Sequence, residues 1–283
     1  MSATFARTPV WIWLDSSATC NLSCQLCYTT PMRSASFMRM NLFSAIVDAV
    51  RAAPVEVMKF HLNWRGEPAS NPRLAAMLSA LTRHPWPVEW HTNATIITDR
   101  NAPAIIDSHP GQRVMMSLDG GDRDSFEKNR GAGAWPKALR GAEALLDARN
   151  GRATPFIGIY QLDLGVDPES YDERFVRITE RVDSHVVEKP VDLDGAVIGH
   201  QPLAIPRGPC FWLGNVLAID VDGYAWTCLL RKGTRLGSVV DEGVMAVLDR
   251  ARDLRRRVTA ETRAVVPGCS SCHKKEGHAW VPA

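Results

Sequence analysis

Residues 10–28 read VWIWLDSSATCNLSCQLCY. The apolar run 10–15 has strand length and is rich in β-branched and aromatic residues, and the loop after it places Cys20, Cys24 and Cys27 close together. The fold turns on whether this strand and its thiol loop stand alone or open a repeating series. Similar runs recur at 55–62, 88–92, 114–118, 156–160 and 184–190. Helical patterns separate them. Leu42, Ile46, Val47 and Val50 follow Asn41 as the expected N-cap; Leu74, Met77, Leu78 and Leu81 fall at helical spacing; and 138–151 ends on Gly151. Strand and helix in alternation predict a parallel α/β sheet with helices outside. Six such units are too few to close an eight-fold barrel, so the expectation is a partial (β/α)6 barrel with its chemistry on the loops after the strand C-termini. The three cysteines lie in the first of those loops.

Composition excludes several classes. At 283 residues, with 45% hydrophobic and a formal net charge of +2, the chain can bury a sizeable core and offers no electrostatic reason to bind nucleic acid. No apolar run is long enough to cross a bilayer, and MSATFARTP lacks the order of a signal peptide, so a cytoplasmic protein without a membrane partner is expected. In a reducing compartment seven cysteines point to metal or redox chemistry, not to disulfides. The basic run 250-RARDLRRR-257 has a plain explanation: Val244, Val247, Leu248, Ala251 and Leu254 form a helical stripe that leaves the arginines in solvent. The nine tryptophans read as core and pocket wall.

The pattern changes near residue 195. Loop signals at 199–209 lead into 215–228, where Leu217, Ile219 and Val221 alternate before the turn Asp222-Gly223. This divides the chain into a barrel, 1–198, and a smaller α+β unit, 199–283, which holds Cys210, Cys228, Cys269 and Cys272. Three thiolates from one tight loop suit a 4Fe-4S cube with one iron left open, whereas a structural zinc would need a fourth ligand that 20–34 does not supply.

The spacing C-x3-C-x2-C followed by the aromatic Tyr28 resembles that of the radical S-adenosylmethionine (SAM) superfamily. Further positions agree. The stretch 64-WRGEP-68 resembles the family's Gly-Gly-Glu-Pro motif, matching at Gly66, Glu67 and Pro68 and departing at Arg65, which puts a cation near the cofactor or substrate. The stretch 92-TNA-94 resembles Thr-Asn-Gly through Asn93, while 117-SLDG-120 and 130-RG-131 resemble the positions that hold the SAM ribose and carboxylate, which casts Ser117 and Arg130 in those roles. The resemblance implies that Cys20, Cys24 and Cys27 bind a catalytic 4Fe-4S cluster, with Tyr28, Gly66, Glu67, Pro68, Asn93, Ser117 and Arg130 around SAM. It further implies that an electron donor such as flavodoxin or ferredoxin drives cleavage of SAM to a 5′-deoxyadenosyl radical. The C-terminal cysteines resemble the SPASM extension in its shorter twitch form, implying a second, auxiliary 4Fe-4S cluster on Cys210, Cys228, Cys269 and Cys272; by spacing alone, zinc remains open there.

Three plus four accounts for all seven cysteines and leaves no thiol to return a hydrogen atom. Oxidation of the substrate is therefore expected, although Tyr160 could also quench a radical. About ten residues precede the first strand, so no N-terminal peptide-binding domain is expected, and a small-molecule substrate comes first: a sugar- or aminocyclitol-like alcohol, by resemblance to the aminocyclitol dehydrogenases. The alternatives are modification of a ribosomally made peptide and a non-catalytic iron-sulfur or zinc protein. His91, Gln161, Glu188 and Lys189 lie at strand ends and are candidates for the pocket wall.

Overall fold

The apolar runs form strands and the periodic runs form helices in the computed structural model, which describes residues 7–27, 29–190, 207–229 and 233–272. Tyr28 and the expected boundary at 198/199 lie outside the described residues. The first part alternates β1 (Thr8–Leu14), α1 (Met40–Ala52), β2 (Val55–His61), α2 (Leu74–Leu81), β3 (Val88–Thr92), α3 (Ala102–Ser108), β4 (Arg113–Ser117), α4 (Arg123–Arg130), α5 (Trp135–Arg149), β5 (Phe156–Leu162), α6 (Glu173–Thr179) and β6 (Ser184–Glu188). These six strands pair in parallel and in sequence order, giving the expected partial barrel. Alternation within each strand sorts the side chains: Val10, Ile12 and Leu14 face the helices and share one core with Phe43, Trp90 and Ile157, while Trp11 and Trp13 face the other way.

The C-terminal part supplies β7 (Val216–Ile219), β8 (Tyr224–Trp226), β9 (Arg235–Ser238) and α7 (Val244–Ala260). Its strands continue the first sheet. β7 runs parallel beside β1, β8 and β9 follow antiparallel, and the order β6-β5-β4-β3-β2-β1-β7-β8-β9 puts β1 between the two halves of the chain. The Asp222-Gly223 turn joins β7 to β8, with Gly223 at φ 86° as such a turn requires.

Some expectations change in detail. Asn41 is not the cap of α1: the helix starts at Met40, Arg39 precedes it without a capping bond, and Phe43 is buried where Leu42 is only partly so. α5 stops at Arg149, with Asn150 in the left-handed region and Gly151 beyond it. α3, α4, α6 and β9 have no counterpart in the periodicity reading, because all four are short and two of the helices carry few apolar residues. Arg255 is half-buried, away from the solvated face expected for it, and donates to the carbonyls of Cys210 and Leu213.

Candidate active site

The loop after β1 is tied to its neighbours through backbone. Gly66 presses so closely on it that a Cβ would stand 2.2 Å from the carbonyl oxygens of both Ser17 and Thr19, and the Glu67 N–H donates to Thr19 at 2.8 Å. Only glycine fits there. The loop's sulfurs meet donors: the Cys27 Sγ lies 3.0 Å from an Arg33 guanidinium nitrogen and 3.0 Å from the Thr29 hydroxyl, and the Cys20 Sγ lies 3.8 Å from Asn93 Nδ2. Burial opposes ionisation of Cys27, but Thr29 and Arg33 outweigh it and hold the thiol below its ordinary value. Burial pushes Cys20 and Cys24 up.

Glu67 is 3% exposed. Its carboxylate accepts from the Thr92 hydroxyl at 2.8 Å, the Asn93 N–H at 2.7 Å and the Ala69 N–H at 3.0 Å, which joins the turn after β2 to the end of β3. Burial still pushes its carboxyl up. Asn93 in turn donates to Asn21 Oδ1 at 3.1 Å, so Glu67, Asn93 and the cysteine loop form one contiguous network. Pro68 is buried behind Glu67 at the start of a short 3-10 turn.

Two arginines border this network. Arg65 is nearly fully buried and pairs with Asp15 at 2.5 Å, its charge neutralised at the end of β1. Burial lifts the Asp15 carboxyl to about 6 against the pull of that guanidinium. Arg130, at the end of α4, is held by Asp119 at 2.6 Å. Burial opposes its charge, yet Asp119 outweighs that and holds it firmly ionised, within electrostatic reach of Cys24, Cys27 and Glu67. Asn129 beside it accepts from the Leu26 N–H and donates to Asp119, linking α4 to the cysteine loop. A cleft of about 810 Å³, lined by Gln25, Leu26, Asp122, Ser125 and Lys128, opens along that seam. Ser117 ends β4 beside Tyr160, whose hydroxyl donates to Glu188 at 2.6 Å.

The inner sheet face carries groups that no motif announces. Glu89 on β3 is surrounded by Lys59 at 3.1 Å, His61 at 3.5 Å, His91 at 3.4 Å and Arg113 at 3.4 Å. Burial alone would raise its pKa; the bond to His91 and the charges of His61, His91 and Lys59 reverse this and hold it at about 2. Gln161 is bonded to Tyr171 and His185 on the helix side, away from this face. Sequence reading also misses Asp15, Arg33 and Asp119; a charged residue directly ending an apolar strand was the one signal available for Asp15.

None of the seven cysteines is tied up in a disulfide. Among the described residues no three Cys, His, Asp or Glu side chains converge to cage a single metal ion; a four-iron cube holds each thiolate on a separate corner. Cys210 and Cys269 pack on a small cluster formed by Leu213, Val258 and Val266. Burial, with Cys210 and Cys272 close by, pushes the Cys269 thiol up to about 11. Cys228 follows β8, its sulfur 3.8 Å from where a Cβ on Gly233 would stand.

The parallel partial barrel thus carries one thiol loop after its first strand and a second thiol group beyond its sixth. The chain belongs to the radical SAM superfamily, whose model matches residues 15–174; an iron-sulfur cluster-binding domain of the SPASM type matches residues 210–273. These bring a catalytic 4Fe-4S cluster, SAM and an auxiliary cluster, and the thiols outside any disulfide, the donors on Cys27 and the glycine-tight turn at Gly66 fit such a set. A curated relative is the tungsten-containing aldehyde ferredoxin oxidoreductase cofactor-modifying protein of Pyrococcus furiosus, 23% identical over 236 residues; the match covers 75% of this chain and 66% of that one. Among solved structures, BtrN in complex with AdoMet and 2-DOIA superposes with a TM-score of 0.62 at 13% identity, covering 97% of this chain and 95% of that one. Streptococcus suis SuiB bound to its precursor peptide SuiA gives 0.67 at 12% identity, covering 94% of this chain and 71% of that one. No described helix is long and apolar enough to cross a membrane.

Proposed function

We propose that this radical SAM enzyme oxidises a small hydroxylated natural-product intermediate, a sugar- or aminocyclitol-like alcohol, with Cys20, Cys24 and Cys27 holding the catalytic cluster and Cys210, Cys228, Cys269 and Cys272 the auxiliary one. The observation that carries the reading is the division of the cysteines: three on the β1 loop and four in the C-terminal part account for every thiol in the chain. None is left to return a hydrogen atom to a substrate radical. Tyr160, the other candidate quencher, is engaged with Glu188. The likeness to BtrN over nearly the whole of both chains agrees with a small substrate. The likeness to SuiB keeps a peptide substrate as the second reading.

When bound, the cluster and SAM supply a carbon radical that removes a hydrogen atom. The chain's own residues set that chemistry up. Arg33 and Thr29 stabilise the Cys27 sulfur as thiolate, because an adjacent cation and a hydrogen bond favour the charged form. Gly66 and Glu67 hold the turn after β2 against the cysteine loop, Asn93 spans from Glu67 to Cys20, and Arg130 supplies a fixed positive charge suited to a carboxylate. Arg65 acts through Asp15, bracing the end of β1. Ser117 and Tyr160 sit side by side on β4 and β5. An electron donor such as flavodoxin or ferredoxin is required.

The test is anaerobic reconstitution. The intact chain should hold about eight irons, two cubes, and form 5′-deoxyadenosine from SAM and reductant. Replacing Cys20, Cys24 and Cys27 with Ala should abolish that product while the C-terminal metal stays. Persistence of 5′-deoxyadenosine in the triple variant would overturn the assignment, and turnover of a peptide but no alcohol would favour the second reading.

A further inference from the structure

Arg255 on α7 and Arg263 just beyond it reach back across the chain to the segment of Cys210. Arg263 is 7% exposed; its Nε donates to the Gly208 carbonyl at 2.7 Å and its Nη1 to the Cys272 carbonyl at 2.7 Å. Arg255 Nη1 donates to the carbonyls of Cys210 at 2.7 Å and Leu213 at 2.9 Å. The contact is built into the backbone, since a Cβ on Gly214, at φ 88°, would stand 3.2 Å from the Arg255 Cδ. Cys210 and Cys269 share the apolar cluster of Leu213, Val258 and Val266. Two cations therefore bind main-chain oxygens at or beside two of the four cysteines and join parts of the chain far apart in sequence. A buried guanidinium is weakly screened, and charge and hydrogen bonding around a cluster set its reduction potential.

We propose that Arg255 and Arg263 form a cationic clamp that arranges Cys210 and Cys272 before metal arrives and favours the reduced state of the group held there. The clamp is a positioning device. Arg263 fixes Gly208 to Cys272 through its two-pronged fork, a geometry lysine cannot reproduce, whereas its charge acts at a distance and lysine can replace it. The second half of the proposal rests on the reading of this site as an iron-sulfur electron acceptor.

The experiment separates the two halves. In the full chain freed of metal, a short bifunctional thiol reagent such as dibromobimane should bridge Cys210 to Cys269 or Cys272, with the bridge located by peptide mass spectrometry. Arg263→Gln and Arg263→Lys should each lower that yield about fivefold or more, with circular dichroism matching the parent. In the reconstituted enzyme, potentiometric titration followed by EPR should show the auxiliary cluster's reduced-to-oxidised ratio at fixed potential about tenfold lower in Arg263→Gln, or about 59 mV for a one-electron couple, and restored in Arg263→Lys. Absent bridging in the parent chain, or bridging in both variants as efficient as in the parent, overturns the clamp. An unchanged potential in Arg263→Gln overturns the charge effect. Zinc in the native site would instead overturn the electron-acceptor reading and leave the bridging result to judge the clamp.

Discussion

At the scale of single residues, two carboxylates carry opposite burdens. Glu67 has three donors and almost no solvent, so a substitution there removes more than a ligand contact. Glu67→Gln should lower stability by about 1–3 kcal/mol, because a buried donor loses its acceptor, and should weaken SAM binding by about one to two orders of magnitude; a thermal melt and calorimetric titration read the two effects. Unchanged SAM affinity with lowered stability would make Glu67 purely structural. Glu89 is held ionised down to about pH 2, below its ordinary value, with His91, His61 and Lys59 beside it. A depressed acid stabilises the fold fully above its unfolded pKa, and that stability disappears as pH falls through the folded one. The difference in unfolding free energy between the parent and Glu89→Gln, measured by urea on the metal-free chain, should approach about 3 kcal/mol near neutrality and shrink between about pH 4.5 and 2. A gap that stays constant with pH would show that the surrounding cations do not set the Glu89 ionisation.

Among elements, the contact of α5 with the end of β3 shows what a lost glycine costs. Ala94 follows Asn93 at φ 60°, and a Cβ on Gly141 of α5 would stand 1.9 Å from the Ala94 carbonyl oxygen. Ala94→Gly should therefore be neutral to stabilising by up to about 1 kcal/mol, because alanine is strained in the left-handed region. Gly141→Ala should destabilise by about 1–3 kcal/mol as the helix is forced away. Differential scanning calorimetry tests both, and equal melting temperatures would show that the contact relaxes freely. The sequence makes this turn recognisable, since Thr92-Asn93 follows a strand run, but it is silent about the helix against it. The same division holds across the site. Cys20, Gly66, Glu67 and Asn93 are legible because their chemistry sits in short motifs at fixed offsets from strands. Asp15, Arg33 and Asp119 are not, because what gives each its role is a partner placed beside it by folding: Arg65, the Cys27 sulfur and Arg130. Glu89 looks like an ordinary polar residue in an alternating strand until β2 and β4 set Lys59, His61 and Arg113 around it.

For the whole molecule, the central placement of β1 matters most. Six parallel strands were legible from alternation alone, whereas the joining of β7 to β1 was not, because four-residue strands carry little periodic signal and pairing partners are a matter of tertiary packing. Among the described residues, the side of β1 away from β2 is covered by the C-terminal part, where Trp13 and Trp64 pack with Val216, Ala218 and Leu229. A chain ending at Lys189 would bare that strand edge and those tryptophans. It should aggregate or bind a hydrophobic dye, because an open apolar edge recruits other strands; light scattering and dye fluorescence decide, and a monodisperse truncated chain would show the barrel to be self-sufficient.

The pairing of Trp11 with Val216 also has a timing. A ribosome adding about 5–20 residues each second needs roughly 10–40 s to pass from the first to the second. During that interval the nascent chain displays a finished apolar strand, and its metal-seeking thiols, with one flank uncovered. Slow translation prolongs that exposure, so heterologous yield should depend on chaperone supply and cool growth more than on the final stability of the fold.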